Sequence, residues 1–326
     1  MEISNVKHHV VGVSISPLNT NYAIVDVRGN IIAQENFDNT TYDNLDCYVA
    51  MLCSRIIELV EQHGGYSGVR SVGVCCPSSN FKTGCMENAP NMPWKGVIPL
   101  AAMMRDHLGL AVALANNSQC VALGEQAFGS AHGMKDFIVI TLSHGMGSCI
   151  FSNGRLHFGN KGFAGEIGHN CVVPEGRMCG CGHQGCLEAY CAEKGILKTA
   201  RELLEASSQP SLMAEAEKLT IPVIIECCEK GDELAIETFR RTGEMLGRGL
   251  ANYASLLNPE AIILTGRIPQ AGKWLLEPTE QSFDNHVFHN IKGQTKLIVS
   301  KLKDGEREVL GASVLAWTVK EYSLFL

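Results

Sequence analysis

The chain has 326 residues, 45% hydrophobic and 19% charged, enough for two ordinary domains with a core each. A net charge of −7 offers no general basic face to a nucleic-acid backbone, and no run approaches the roughly 20 apolar residues of a membrane span. The N-terminus MEISNVKHHVVGV lacks the apolar core and cleavage site of a secretory signal, so the 14 cysteines are expected to be thiols in a reducing cytoplasm.

In chain order, HVVGVSIS and NYAIVDVRG are β-branched runs followed by IIAQENF, with Arg28-Gly29-Asn30 as a hairpin turn. Three successive antiparallel strands are predicted. Leu45 to His63 is apolar at helical spacing and stops at Gly64-Gly65. Val69 to Cys76 reads as a buried strand, Ile98 to Leu108 as a helix, and Ala111 to Ala115 as a strand. Cys120 to Phe128 reads as a helix entered from a polar loop, Asn116–Gln119. Asp136 to Leu142 and Ser148 to Phe151 are strands joined by Ser143–Gly147. Helical periodicity then covers Lys194 to Ala206, Thr220 to Lys230 and Leu234 to Leu257. Ser207–Ala214 reads as a flexible polar loop. Ala261 to Leu264 and Lys296 to Ser300 are strands, and Gly311 to Glu321 a final helix. Hairpins interspersed with βαβ units imply an α/β protein with mixed sheets and helices on their faces.

The densest chemistry lies in GEIGHNCVVPEGRMCGCGHQGCLEAY, Gly165 to Tyr190. His169, Cys179, Cys181 and Cys186 make a complete tetrahedral shell for zinc, with no position left for a catalytic water. The glycines between them permit tight turns around an ion. Cys75–Cys76 and Cys227–Cys228 lie in apolar runs and read as small buried hydrophobes. Asp136 and Glu125 read as surface or capping acids.

FAGEIGH with CGCGHQGCLE, ENAPNMPWKG (Glu87 to Gly96) and NPEAIIL (Asn258 to Leu264) resemble the ROK family of repressors, open reading frames and kinases, over essentially the whole chain. The resemblance implies a two-domain actin/hexokinase-like (ribonuclease H-like) fold with an inter-domain cleft. A smaller N-terminal domain would span 1–115, completed by a C-terminal helix at about 311–326. A larger domain, 116–310, would carry the zinc segment. It further implies that Asn91, Asn116, Glu166, His169 and Glu188 bind a hexose. Carboxylates and amides suit hydroxyls that both donate and accept. Ser78–Asn80 departs from the glycine such kinases show there.

The ATP side departs more. The family's D-x-G-G-T loop is replaced from Ser14, with Pro17 supplying no N–H. The second phosphate loop, usually G-T-G-x-G, reads Ser143-His144-Gly145-Met146-Gly147, and the adenosine turn reads Gly266-Arg267. Asn117 stands where relatives place the aspartate that serves as general base, and a neutral amide cannot take that proton. His144 could act as a base but reads as a local hydrogen-bonding group. Four losses on one face are expected to leave a hexose-binding sensor, a pseudokinase with structural zinc. The alternative is an ATP- and Mg-dependent hexokinase or glucokinase acting on the 6-hydroxyl of a sugar. The first strand begins near His9, which leaves no room for a helix-turn-helix and so argues against direct DNA contact. The family suggests a homodimer.

Overall fold

The computed structural model describes residues 8–89, 92–303 and 305–319. The chain forms two compact units. The first takes the chain up to Gly133, the short segment Phe158–Phe163, and the chain from Lys301 onward; the second takes Met134–His157 and Ala164–Ser300. The division at 115/116 drawn from the sequence falls just before the helix Asn117–Phe128, which packs in the first unit.

In the first unit His9–Ile15 pairs antiparallel with Asn19–Asp26, whose far edge takes Ile31–Asp38. Val69–Cys75 joins His9–Ile15 in parallel, and Ala111–Ala115 joins it in turn. The predicted hairpin is present: Asp26 Oδ1 accepts the N–H groups of Arg28 and Asn30, each at 2.8 Å, and Gly29 takes φ +83°. Central strands are buried along most of their length, which is why their sequences run continuously apolar rather than alternating. The helix Leu45–Gln62, capped by Asn44, lays Val49, Leu52, Ile56 and Val60 on one face of this sheet. A second, three-stranded sheet of Ser79–Asn80, Cys85–Glu87 and Val97–Ile98 was not legible in the sequence, and Pro99 separates its last strand from the helix Leu100–Leu108.

The other face of the five-stranded sheet carries the helix Arg307–Thr318, packed on Val10, Ala23 and Val25. It begins four residues before the predicted start at Gly311; Glu321, the predicted end, lies outside the described residues. Gly311 is not a boundary but a close approach: a Cβ there would sit 1.8 Å from the Cys120 carbonyl oxygen. Gly73 is as tight, at 1.8 Å from the Ala312 oxygen, and Gly12 is close, at 2.3 Å from the Val309 oxygen.

In the second unit the sheet order is Arg155–Leu156, Met146–Ser152, Phe137–Leu142, Ala261–Thr265 and Lys296–Val299, antiparallel across the first three strands and parallel beyond. The two five-stranded sheets thus share one plan: an antiparallel trio extended by parallel strands. The long helix Glu233–Leu257 packs through Gly243 and Gly247 against the helix Lys273–His286. That partner helix was missed because Pro278, normally a breaker, sits inside it. The stretch read as flexible is pinned instead: Asp232 Oδ2 accepts from Ser211 Oγ at 2.7 Å and from the Leu212 N–H at 2.6 Å. Glu125, read as a surface or capping acid, is fully buried and accepts the Ser130 N–H at 2.8 Å.

Gly73→Ala should lower stability by about 1–3 kcal/mol or more, because the added methyl meets helix backbone that cannot rotate away. A denaturant midpoint within error of wild type would show that the helix does not sit this close.

Candidate functional site

In the second unit the ligand atoms of His169, Cys179, Cys181 and Cys186 all lie within 4.8 Å of one another. Cys179 Sγ is 3.7 Å from His169 Nδ1, and Cys181 Sγ is 3.6 Å from Cys186 Sγ. Around an ion with bonds of about 2.3 Å to sulfur, tetrahedral ligands stand about 3.8 Å apart, so the donor set fits such an ion. Cys186 is buried and Cys181 exposed. Burial, then the neighbouring thiols, push the Cys186 thiol up to about 12, while the backbone N–H of His183 is the main cause drawing Cys181 down to about 6. Turn geometry places the ligands. The N–H of Cys179 donates to the His183 carbonyl at 2.8 Å, and Gly182 and Gly185 take positive φ.

Two anchors of this segment escaped sequence reasoning. Arg177, largely buried, donates Nη1 to the Gly195 carbonyl and to Thr199 Oγ1, both at 3.0 Å, and stacks its guanidinium over Tyr190 at 4.9 Å. Ser148 bonds the Gly165 carbonyl and accepts the Ile167 N–H at 3.1 Å, which fixes the turn carrying Glu166. Neither has a local signal: their partners lie 12 to 25 residues away for Arg177 and 17 to 19 for Ser148.

Glu166 is exposed at the start of the short turn Ile167–His169. Glu188 opens a four-residue helix and is half-buried. Its Oε2 accepts the Met146 N–H at 2.8 Å and stands 3.0 Å from where a Cβ on Gly145 would be. Its Oε1 lies 3.6 Å from Cys179 Sγ. One carboxylate therefore joins the cysteine segment to the Ser143–Gly147 loop. In that loop His144 pairs with Glu193, Ser143 N–H bonds the Gly145 carbonyl at 3.0 Å, and Gly147 already belongs to a strand.

In the first unit Asn116 caps the helix Asn117–Phe128 through a capping box with Gln119, its Oδ1 accepting the Gln119 N–H at 2.9 Å. This is why the helix starts earlier than predicted, and it leaves the Asn116 Nδ2 as the group that can face a ligand. Asn117, at the first helical position, is exposed, with Oδ1 3.6 Å from Cys75 Sγ. Ser14 sits within a strand, opposite Asn21 and Cys75. The turn after it closes on Ser16, whose Oγ accepts the N–H groups of Leu18 (3.3 Å) and Asn19 (3.0 Å), while the Ser16 N–H bonds the Asn19 carbonyl at 2.9 Å. With Pro17 lacking an N–H, the amides from Ser16 to Asn19 are all spoken for. Asn91 lies outside the described residues.

Gly266 takes φ +101°, and a Cβ there would come within 2.2 Å of the Leu142 oxygen. Arg267 does not fill the space beyond it. It lines a cavity of about 280 Å³ with Ser143, Glu193, Ile221, Ile225 and Gln270.

A sequence model of the ROK family matches residues 10–319. The glucokinase of Halalkalibacterium halodurans is 28% identical over 321 residues, covering 95% of this chain and 94% of that one. Among solved structures, a ROK family glucokinase from Streptomyces griseus in complex with glucose and AMPPNP is 29% identical, with a TM-score of 0.78 over 95% of this chain and 100% of that one. A ROK family transcriptional regulator, homologous to the MLC protein of E. coli, is 26% identical, with a TM-score of 0.86 over 95% of this chain and 78% of the regulator. The chain belongs to the ROK family, and its fold is the actin/hexokinase-like fold of ROK sugar kinases. No helix among the described residues is long and apolar enough to cross a membrane.

Metal analysis of the purified protein should find one tightly held ion per chain. Cys186→Ser should lose it, whereas Cys171→Ser should keep it, since Cys171 pairs its backbone with Cys186 but lies outside the ligand cluster. Full metal content in Cys186→Ser would exclude the cluster as the site.

Proposed function

We propose that this ROK-family chain binds a free hexose or close derivative and signals its presence, with phosphoryl transfer lost or much reduced. The observation that carries the reading is the closed Ser16 turn. A phosphate loop works by aiming free backbone N–H groups at phosphate oxygens, and here Ser16 Oγ takes two of them while Pro17 has none. Asn117 adds to it. Without a carboxylate at that position a sugar hydroxyl has no general base there, a loss of about 10²–10⁴-fold in typical enzymes. The second loop is likewise engaged internally, because Glu188 holds the Met146 N–H.

The sugar side keeps its chemistry. Glu166, the Oε1 of Glu188, the Asn116 Nδ2 and Asn91 offer acceptors and donors for hydroxyls. In this reading the ion is structural zinc. When bound it would fix His169 through Nδ1, leaving Nε2 to meet a hydroxyl, and hold the loop between Glu166 and Glu188 in one shape. Binding of a ligand that prefers one of two conformations shifts their populations without chemistry. We further read the protein as a cytoplasmic homodimer with domains near 1–115 and 116–310. The transcriptional regulator among its structural neighbours makes gene control a natural output; the net charge of −7 assigns this chain itself no direct nucleic-acid contact.

The kinase alternative has one observation in its favour: the cavity beside Arg267 is open and walled by Ile221, Pro222, Ile225 and Ile268, which suits a flat heteroaromatic ring. Calorimetry with hexoses and with MgATP, alongside coupled ATP consumption, separates the two. The sensor reading expects hexose binding, negligible turnover and no low-micromolar MgATP affinity. Glu166→Ala should weaken the sugar about tenfold or more, from a charged hydrogen bond contributing about 1.5–3 kcal/mol, while Ser14→Ala leaves it unchanged. Robust hexose-dependent conversion of ATP to ADP, with one sugar phosphate formed per ADP, would establish the kinase instead.

A further inference from the structure

The segment Phe158–Phe163 packs with the first unit although the chain on both sides of it builds the second. Three different kinds of contact hold it there, all from consecutive residues of the first unit. Lys82 Nζ donates to the carbonyls of Gly159 at 3.0 Å and Asn160 at 2.7 Å. Asn80, only 7% exposed, donates Nδ2 to the Lys161 carbonyl at 3.3 Å. Its Oδ1 accepts the Lys82 N–H at 3.0 Å and lies 3.0 Å from where Gly162 would place a Cβ. Phe81 stacks on Phe158 with centroids 5.1 Å apart and planes 9° from parallel.

The held segment has little order of its own. It contains two glycines at positive φ, Gly159 and Gly162, and no strand or helix. It also leads directly into the turn that carries Glu166 and His169, with Glu166 three residues beyond Phe163. Freed from its tether, the segment would sample many conformations, and a ligand that needs one of them binds more weakly in proportion to the fraction that is competent.

We propose that Asn80, Phe81 and Lys82 are positioning residues for the hexose site: they tether Phe158–Phe163 to the first unit and so fix the approach to the Gly165–His169 turn. The proposal rests on the hexose-binding reading above. It also gives a role to Asn80, which stands in the Ser78–Asn80 stretch where similar kinases have glycine. The asparagine supplies both a donor to the segment and an acceptor that orders the Lys82 backbone.

The test pairs two readouts on Lys82→Met, Phe81→Ala and the conservative Lys82→Arg. Hydrogen exchange reports the amides of residues 159–163, and hexose titration reports affinity on the same preparations, with bound metal measured as a control. Lys82→Met and Phe81→Ala should each speed exchange in this segment and raise the hexose Kd about tenfold, with metal content unchanged and Lys82→Arg recovering most of both. Unchanged exchange would show that there is no tether. Faster exchange with unchanged Kd would make it a plain loop anchor and overturn the positioning role. A wild-type protein that binds no hexose, with exchange still accelerated in the variants, would defeat the hexose reading and with it this role, while leaving the tether itself established. If Lys82→Met fails to fold, Phe81→Ala carries the same outcomes.

Discussion

Three thiols and one imidazole gathered within 4.8 Å are the constraint on which the second unit's site depends. The segment that brings them together has only two isolated β-bridges, Cys171 with Cys186 and Met178 with Gln184, and glycines at Gly180, Gly182 and Gly185. Such a chain loses much conformational entropy on ordering and recovers little from apolar burial. A structural ion supplies the missing free energy in sites of this kind. The benefit reaches beyond the ligands, because Glu188 follows Cys186 by two residues and bonds the Met146 N–H. The cysteine segment, Glu188 and the Ser143–Gly147 loop are in this way one connected object.

The loops that the proposed function reads as altered phosphate loops are bonded within the chain. Ser16 satisfies its own turn, Glu188 satisfies the Ser143–Gly147 loop, and His144 pairs with Glu193. An enzyme needs those amides and charges free at the moment of reaction. The cavity beside Arg267 stays open next to these bonded loops.

Periodicity carried most of the fold. Strands such as Phe137–Leu142 and the hairpin at Arg28-Gly29-Asn30 were readable because β-branched runs and turn residues are local signals. The failures were of three physical kinds. Pro278 hid a helix by an ordinary rule that tertiary packing overrides. Gly311 looked like a boundary but is a contact, since only a residue without Cβ lets the helix lie against the Cys120 backbone. Asn116 looked like loop because a capping box is recognised only once the helix start is known. At the site, the ligand spacing of His169, Cys179, Cys181 and Cys186 was legible from sequence alone. Arg177, Ser148 and the Lys82 tether were not, because their partners are distant in the chain and unremarkable in type.

The most direct measurement of the central claim is hexose affinity before and after the ion is removed by a chelator, with far-ultraviolet circular dichroism confirming that the rest of the fold persists. The account predicts that stripping the metal weakens hexose binding by an order of magnitude or more, and that returning zinc restores it. Hexose affinity indifferent to the metal would show that the cysteine cluster does not organise the sugar site, and would contradict the account.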